Sequence, residues 1–423
     1  MPHNGCPTLF DPSDAFAFAH VPPDNFARRC RHTMAQSTVQ IRDSAHLAQT
    51  AREARRVFDA GGLVIFPTET VYGLGASAAS DKGFAALLDA KGRSAAQPFT
   101  IHLPSAQAAS RYVDMTSPRM QRFVQKAFPG AVTLVVDVST DVITEKLALF
   151  EKLGRKHLPA GGVAELGARL YHNGTIGLRC PDDATARAIL GATDAPVTAS
   201  SANRRGQPPP MDVEAATSAI GECADLIVDG GRCRYAKPST IVRVRMTDGG
   251  PHITVEREGV YDERTIRRML RWTMLLVCSG NTCRSPMAEG IARQMLAQQR
   301  GVAADELESA GVRVVSAGAF TSPGMPAARE AVEAMSKLGV DLSKHRSRTL
   351  STELIREADA IYCMTDSHME AVIETDPTAK DKTFTLDPNG DIDDPIGGNL
   401  TVYQRCAELI RRRLDQRIRE QQP

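Results

Sequence analysis

The run Met274-Leu-Leu-Val-Cys278 is apolar and ends on a cysteine, and the residues after it restrict how the chain can fold there. Ser279-Gly-Asn-Thr-Cys283 is polar, and Arg284-Ser285-Pro286 leads into an amphipathic run over 287–296. This order reads as buried strand, tight loop and helix. Ser285 is a favoured N-cap residue, and Pro286 suits the first helical turn, where a missing N–H costs nothing. A loop entering a helix presents unpaired N–H groups and the positive end of the dipole, a setting for an anion. A thiol at 278 and a guanidinium at 284 add a nucleophile and a clamp for a tetrahedral oxyanion. The stretch is expected to handle phosphate.

At 423 residues the chain exceeds one ordinary core, so two domains, or three, are expected. Hydrophobic content of 42% and charged content of 24% fit a globular protein. A net charge of +1 gives no electrostatic basis for a dedicated binder of nucleic acid or anionic membrane. No apolar run reaches the ~18 residues of a membrane span. Residues 1–36 lack the basic start and apolar core of a secretory signal and read as a disordered leader, with Met34 a candidate for the true start. Nine cysteines at irregular spacing, without a C-x-x-C pair, argue against a zinc ribbon or disulfide framework. Reduced thiols in a cytoplasm are expected.

From Ala45, apolar residues recur at helical spacing up to Gly61-Gly62. The strand Leu63-Val-Ile-Phe66 then delivers Pro67-Thr-Glu-Thr70-Val-Tyr72-Gly-Leu-Gly75, a hydroxyl-rich turn of the kind that places ligand groups. Lys91-Gly-Arg93, followed by Gln97, is a basic pair on a glycine-containing loop: either a phosphate site or a solvated loop. Phe128-Pro-Gly-Ala-Val-Thr133-Leu, Gly177-Leu-Arg179-Cys-Pro-Asp182, Ser200-Ser-Ala-Asn203 and Pro238-Ser239-Thr240-Ile-Val complete six ordered blocks. Over about residues 40–262 they resemble the YrdC-type threonylcarbamoyl-AMP synthases.

That resemblance implies a twisted α/β domain over 37–271 with a concave, positively lined pocket. It implies formation of L-threonylcarbamoyl-AMP and pyrophosphate from threonine, bicarbonate and ATP, with Mg2+ accompanying the ATP. The product would feed the machinery that modifies tRNA next to the anticodon. By motif position, Lys91, Arg93, Gln97, Thr175, Ser201, Asn203 and Arg257 are implied at ATP. Thr70, His102, Arg179 and Ser239 are implied at threonine. No covalent nucleophile is expected, because such a site works by positioning and charge stabilisation. His102 alone would read as a packed histidine; its place eleven residues after Lys91 promotes it. Two departures stand out. The segment 141–173 is longer than the family's usual spacing and reads as a surface helix and loop rather than a lid. Glu258 follows Arg257 where the family usually has proline. The rival reading is a non-catalytic RNA-binding module.

Residues 258–271 read as a short helix, with no Ser- or Pro-rich linker before Trp272, so a tight junction is expected. Beyond the cysteine loop the pattern is β-α-β-α-β-β-α, which implies a doubly wound parallel sheet with its site at the strand C-termini. Cys278-x5-Arg284-Ser285, Ser316-Ala-Gly318, Ala358-Asp359, Ser367-His368 and Asp393-Asp394-Pro395 ahead of Tyr403 resemble the low-molecular-weight protein tyrosine phosphatase family over 273–423.

On this reading Cys278 is a thiolate that attacks phosphorus. Arg284 and the loop N–H groups of Ser279, Gly280, Asn281, Thr282, Cys283 and Ser285 hold the equatorial oxygens. Asp394 serves the leaving group as acid and water as base. Asn281 would pin the loop and Ser285 would stabilise the thiolate. Neither a metal nor a tightly bound cofactor is expected there. Within the resemblance, the residue before Cys283 separates two branches: aliphatic in tyrosine phosphatases, threonine in protein-arginine phosphatases. Thr282 ranks phosphoarginine first and phosphotyrosine second, although Ile396 stands where both branches usually have an aromatic. A pseudo-phosphatase scaffold is a rival. Arsenate reduction would need a cysteine relay, and only Cys363 lies in a suitable segment. Cys283 is close enough along the chain for a reversible disulfide with Cys278.

Overall fold

The computed structural model describes residues 37–94, 97–247 and 250–421. The leader over 1–36, with Met34, lies outside the described residues. The described strands form two sheets that share no member.

The first sheet contains β1 (Ser37–Gln40), β2 (Val64–Phe66), β3 (Gly73–Ser77), β4 (Thr100–His102), β5 (Val132–Asp137), β6 (Thr175–Arg179), β7 (Val197–Ser201), β8 (Leu226–Asp229), β9 (Thr240–Thr247) and β10 (Gly250–Arg257). Their spatial order is β1-β8-β2-β3-β7-β4-β6-β5-β9-β10, with parallel and antiparallel neighbours mixed. The helix Ser44–Asp59 begins where the Asp43 carboxylate accepts the His46 N–H. It stops before Gly61, whose φ of 74° suits glycine, as the Gly61-Gly62 pair implied.

Directly paired residues of neighbouring strands share a face. Ile101, Leu134, Leu178, Ile176, Val242 and Val244 turn to one side and bury against Phe123 and Val124 of the helix Pro118–Ala127. The intervening residues turn to the other side. By the register of β4, β5, β6 and β7, His102, Arg179 and Thr133 form one cross-strand row. Thr175 and Ser201 occupy a second row four residues along, about 13 Å away. The segment 141–173 folds as two helices, Thr140–Lys152 and Gly162–Leu170, whose Phe150, Leu166 and Leu170 join the core on the first side. It covers the core face and not the face of Arg179.

The second sheet holds β11 (Trp272–Cys278), β12 (Val312–Gly318), β13 (Ala360–Cys363) and β14 (Thr383–Thr385), all parallel, in the order β12-β11-β13-β14. Met274 and Leu276 bury against Met287 and Ile291 of the helix Arg284–Arg300 and Leu414 of the helix Leu400–Gln421. Leu275 and Val277 bury on the opposite side with Ile355 and Val372. Both faces are covered, as a doubly wound parallel sheet requires. The expected β-β step from β13 to β14 is corrected: the helix Asp366–Thr375 lies between them. Parallel neighbours need a crossover, so two strands in direct succession could not pair this way. Only His368 and Val372 of that helix are buried, which left little periodicity to read.

The helix Glu263–Met269 meets β11 across two residues, Leu270 and Arg271. Lys126 crosses this junction: its Nζ lies 2.7 Å from the Asp359 carboxylate and donates to the Arg271 carbonyl at 2.6 Å. Asp359 also accepts the Thr273 N–H at 2.7 Å, and Arg271 pairs with Glu308 at 2.7 Å. The junction is tight.

Candidate active sites

Strand β11 ends on Cys278, a residue only 3% exposed. Its Sγ lies 3.0 Å from Ser285 Oγ and accepts the Asn281 N–H at 3.2 Å. Asn281 takes a left-handed φ of 52°, a conformation that asparagine tolerates. Its side-chain amide donates to Ser285 Oγ at 2.9 Å and Ser316 Oγ at 2.8 Å, and its carbonyl oxygen accepts the Arg348 N–H at 2.8 Å. Three anchors from one buried side chain fix the loop. The helix begins at Arg284 with Cys283 in the N-cap position, so the expected capping by Ser285 is corrected. The Ser285 hydroxyl is committed to the thiol, and no side chain caps the first turn, leaving its N–H groups to an anion.

Arg284 is buried and donates to the Ile392 carbonyl at 2.9 Å and Ser279 Oγ at 3.4 Å. It also forms an ion pair with Asp394, brought in by the loop after β14. Ser279 Oγ lies 2.8 Å from His368 Nε2, and His368 Nδ1 lies 2.7 Å from Thr365 Oγ1. Burial and then the Arg284 charge push His368 down to about 4, so it is neutral at neutral pH. His345 adds a contact from its Nε2 to the Asn281 carbonyl at 2.8 Å. Neither histidine had been given a role, although His368 lay inside a quoted motif. Burial raises the Cys283 thiol, whose Sγ is 3.4 Å from Tyr403 Oη. Thr282 is half-buried, with Oγ1 3.7 Å from Cys283 Sγ. Cys363 is buried on β13, and burial drives its thiol far up. Such a group does not serve a redox relay, which removes the arsenate reading's one cysteine. Loops bordering the site expose Phe320, Met325 and Ile396.

On the first sheet, one terminal nitrogen of Arg179 lies 3.2 Å from both Thr68 Oγ1 and Glu69 Oε1, and it also donates to the Thr70 hydroxyl. Ser239 Oγ is 2.8 Å from Thr133 Oγ1. Arg257 donates to the Ser239 carbonyl at 2.9 Å, and burial plus the Arg179 charge pull its pKa down. A hydrogen bond thus joins Arg257, implied at ATP by motif position, to the backbone of Ser239. His102 has Nδ1 3.2 Å from the Thr100 carbonyl, and burial followed by the Arg179 charge push it down to about 3.

A second group forms around Lys91. Its ammonium donates to the carbonyls of Ser201, at 2.7 Å, and Asn203, and to Asn203 Oδ1 at 3.2 Å. Ser201 Oγ donates to Asn203 Oδ1 at 2.5 Å. Burial, then the charge of Arg93, push Lys91 down to about 8. Arg93 lies over the Phe99 ring at 4.9 Å and donates to the Pro98 carbonyl at 3.1 Å. Gln97 is exposed, and the Thr175 hydroxyl donates to the His172 carbonyl at 2.8 Å. Neither joins the Lys91 group by a hydrogen bond.

Two family models divide the chain along the same line. The one described as telomere recombination, covering the Sua5, YciO and YrdC proteins, matches residues 56–259. The one for low molecular weight phosphotyrosine protein phosphatases matches residues 273–422. A protein-arginine-phosphatase of Geobacillus stearothermophilus is 36% identical over 149 residues, 34% of this chain and 92% of that protein. A provisionally named low molecular weight protein-tyrosine-phosphatase of Ralstonia nicotianae is 36% identical over 145 residues, 34% and 91% of the two chains. A Mycobacterium tuberculosis protein, provisionally named a threonylcarbamoyl-AMP synthase, is 33% identical over 183 residues, 43% of this chain and 73% of that one.

The chain belongs to both families. It joins a threonylcarbamoyl-AMP synthase domain to a low-molecular-weight phosphatase domain and is a bifunctional enzyme. In the phosphatase domain the residues converge on one thiol. In the synthase domain they spread across one sheet face in two groups. No helix among the described residues is long and apolar enough to cross a membrane.

Proposed function

We propose that the domain from Trp272 onward hydrolyses phosphorylated proteins through a phosphocysteine. The buried Cys278 thiol, in contact with Ser285 and the Asn281 N–H and close to the Arg284–Asp394 pair, carries this reading. The thiolate attacks phosphorus while the bond to the leaving group breaks. Asp394 protonates that group, and Arg284 with the loop amides holds the three equatorial oxygens. Asp394 then takes a proton from water as it displaces sulfur. Phosphoarginine is the preferred substrate, because the Thr282 hydroxyl borders the loop where an aliphatic side chain would favour an apolar ring. The phosphotyrosine reading is favoured by the exposed Phe320, Met325 and Ile396, which could flank a ring. The two phosphatase relatives are equally identical to this chain, so likeness does not choose between them. Turnover of phosphoarginine and phosphotyrosine peptides, measured side by side with Cys278→Ala as control, tests the ranking. Faster phosphotyrosine hydrolysis overturns it.

For residues 37–271 we infer synthesis of L-threonylcarbamoyl-AMP from threonine, bicarbonate and ATP. Arg179, Thr70, Ser239 and His102 hold the amino acid. Lys91, Arg93, Ser201 and Asn203 gather the phosphates, and Gln97, Thr175 and Arg257 complete the nucleotide site. The two rows on one sheet face support this division, since they are separated on the scale of a nucleotide rather than of one small molecule. Among the described residues, no three His, Cys, Asp or Glu side chains group to hold a metal. Mg2+ would therefore travel on the phosphates with few protein ligands. Among the described residues six cysteines are free, Cys278 included, and these suit a cytoplasmic setting; Cys223 is disulfide-bonded, which corrects the expectation that every thiol is reduced. The product would pass to tRNA-modifying machinery. Pyrophosphate release that requires threonine, bicarbonate and ATP together is the expected result; its absence with folded protein would favour an RNA-binding module.

A further inference from the structure

We propose that Glu69 receives the ammonium group of the amino-acid substrate and takes up the proton that group must lose. This deepens the synthase reading and rests on it. The Glu69 side chain is fully buried in the loop between β2 and β3, between Thr68 and Thr70. Its Oε1 is 3.2 Å from Arg179. Its Oε2 has no hydrogen-bond partner and is the one buried carboxylate oxygen among the described residues left so. Folded chains rarely leave a buried polar atom unpaired without a reason. Arg179 carries the matching deficit, since its buried Nε is also without a partner. An unused acceptor on an anion beside an unused donor on a cation makes a receptor for a zwitterion. An α-amino acid fits it, ammonium to Oε2 and carboxylate to Nε.

The groups around Glu69 leave it as the base. Arg179 faces it from β6, and Asp183 lies at the start of the next helix. Cys180, Cys233 and Tyr261 also feel its charge. Burial pushes the two thiols up to about 12 and about 11 and the phenol up to about 12, so all three are neutral. Threonine in water is an ammonium and not a nucleophile. Attack on bicarbonate carbon forms the N–C bond and expels hydroxide as water: R–NH3+ + HCO3− gives R–NH–COO− + H2O + H+. Glu69 Oε2 holds that proton before it passes to solvent. A carbamate oxygen then bonds to the α-phosphorus of ATP, and pyrophosphate leaves with the electron pair of the broken P–O bond.

The test uses the full chain and compares it with Glu69→Gln, which keeps the shape and the acceptor for Arg179. The expected result is a threonine KM raised at least tenfold, with ATP binding unchanged. The variant's kcat/KM for threonine should also rise with pH up to the amine's own pKa, where the parent is flat. Unchanged KM and pH profile in a variant that still binds ATP would overturn the proposal while leaving the synthase reading intact. If the parent itself releases no pyrophosphate, the reading fails first. Should Glu69→Gln not fold, calorimetry on the parent decides between threonine and 3-hydroxybutyrate, which lacks the amine. At least tenfold tighter binding of threonine is expected, and equal binding would overturn the proposal.

Discussion

The two domains solve phosphate chemistry in opposite ways. In the phosphatase domain eight consecutive residues, 278–285, supply the nucleophile, the clamp and the anion-binding amides, and one distant aspartate completes the set. In the synthase domain the candidate residues come from Thr70 to Arg257, and no single one is a nucleophile. A covalent mechanism concentrates its dependence on one electron pair. A mechanism that brings substrates together distributes it over many contacts, each with a modest share.

The largest expected effect is on that concentration. Cys278→Ser should abolish phosphopeptide hydrolysis, by about 10^4-fold or more, and leave threonine-dependent pyrophosphate release untouched. A phosphopeptide assay paired with a pyrophosphate assay reads both, and loss of both activities would break the contrast. Asp394→Asn should lower phosphatase kcat by about 10^2- to 10^4-fold, less for a substrate whose leaving group needs no proton.

The distributed site should respond by degree. Lys91 is held near 8 by burial and Arg93, and ATP selects its charged form. As pH rises through 8 the ammonium is lost, so ATP binding weakens; between pH 8 and 9 the dissociation constant should rise about fivefold. Calorimetric titration at pH 7, 8 and 9 checks this, and Lys91→Arg should flatten the curve. The smallest effect concerns substrate choice. Thr282→Ile should shift the ratio of phosphoarginine to phosphotyrosine turnover by about tenfold toward tyrosine, as one apolar contact replaces a hydroxyl. An unchanged ratio would move the specificity determinant to Phe320, Met325 or Ile396.

The same contrast governs what could be read from the chain. The phosphate loop is contiguous, so strand, loop, helix, Cys278 and Arg284 were all legible, and the family resemblance extended the set to Asp394. The anchoring of Asn281 by Ser316 and Arg348 was not, because those partners meet only once β12 lies beside β11. The contact of Arg257 with Ser239 was not legible for a related reason. The neighbours of Arg257 are set by the β9–β10 register and not by motif order. Glu69 sat in view within the Pro67–Gly75 block, but an unpaired oxygen is a property of packing and leaves no mark in sequence. The helix Asp366–Thr375 was hidden by its short apolar stripe, and the parallel pairing of β13 with β14 is what demands it.

The bridge from Lys126 to Asp359 and Arg271, together with a two-residue splice, has a hydrodynamic consequence. Two beads on a flexible string would each tumble at the rate of its own mass. A probe fixed on either domain of this chain should instead report one rotational correlation time, that of a single 45.7 kDa particle. Lys126→Ala should shorten it only if that ammonium, rather than the splice, is what stops the hinge.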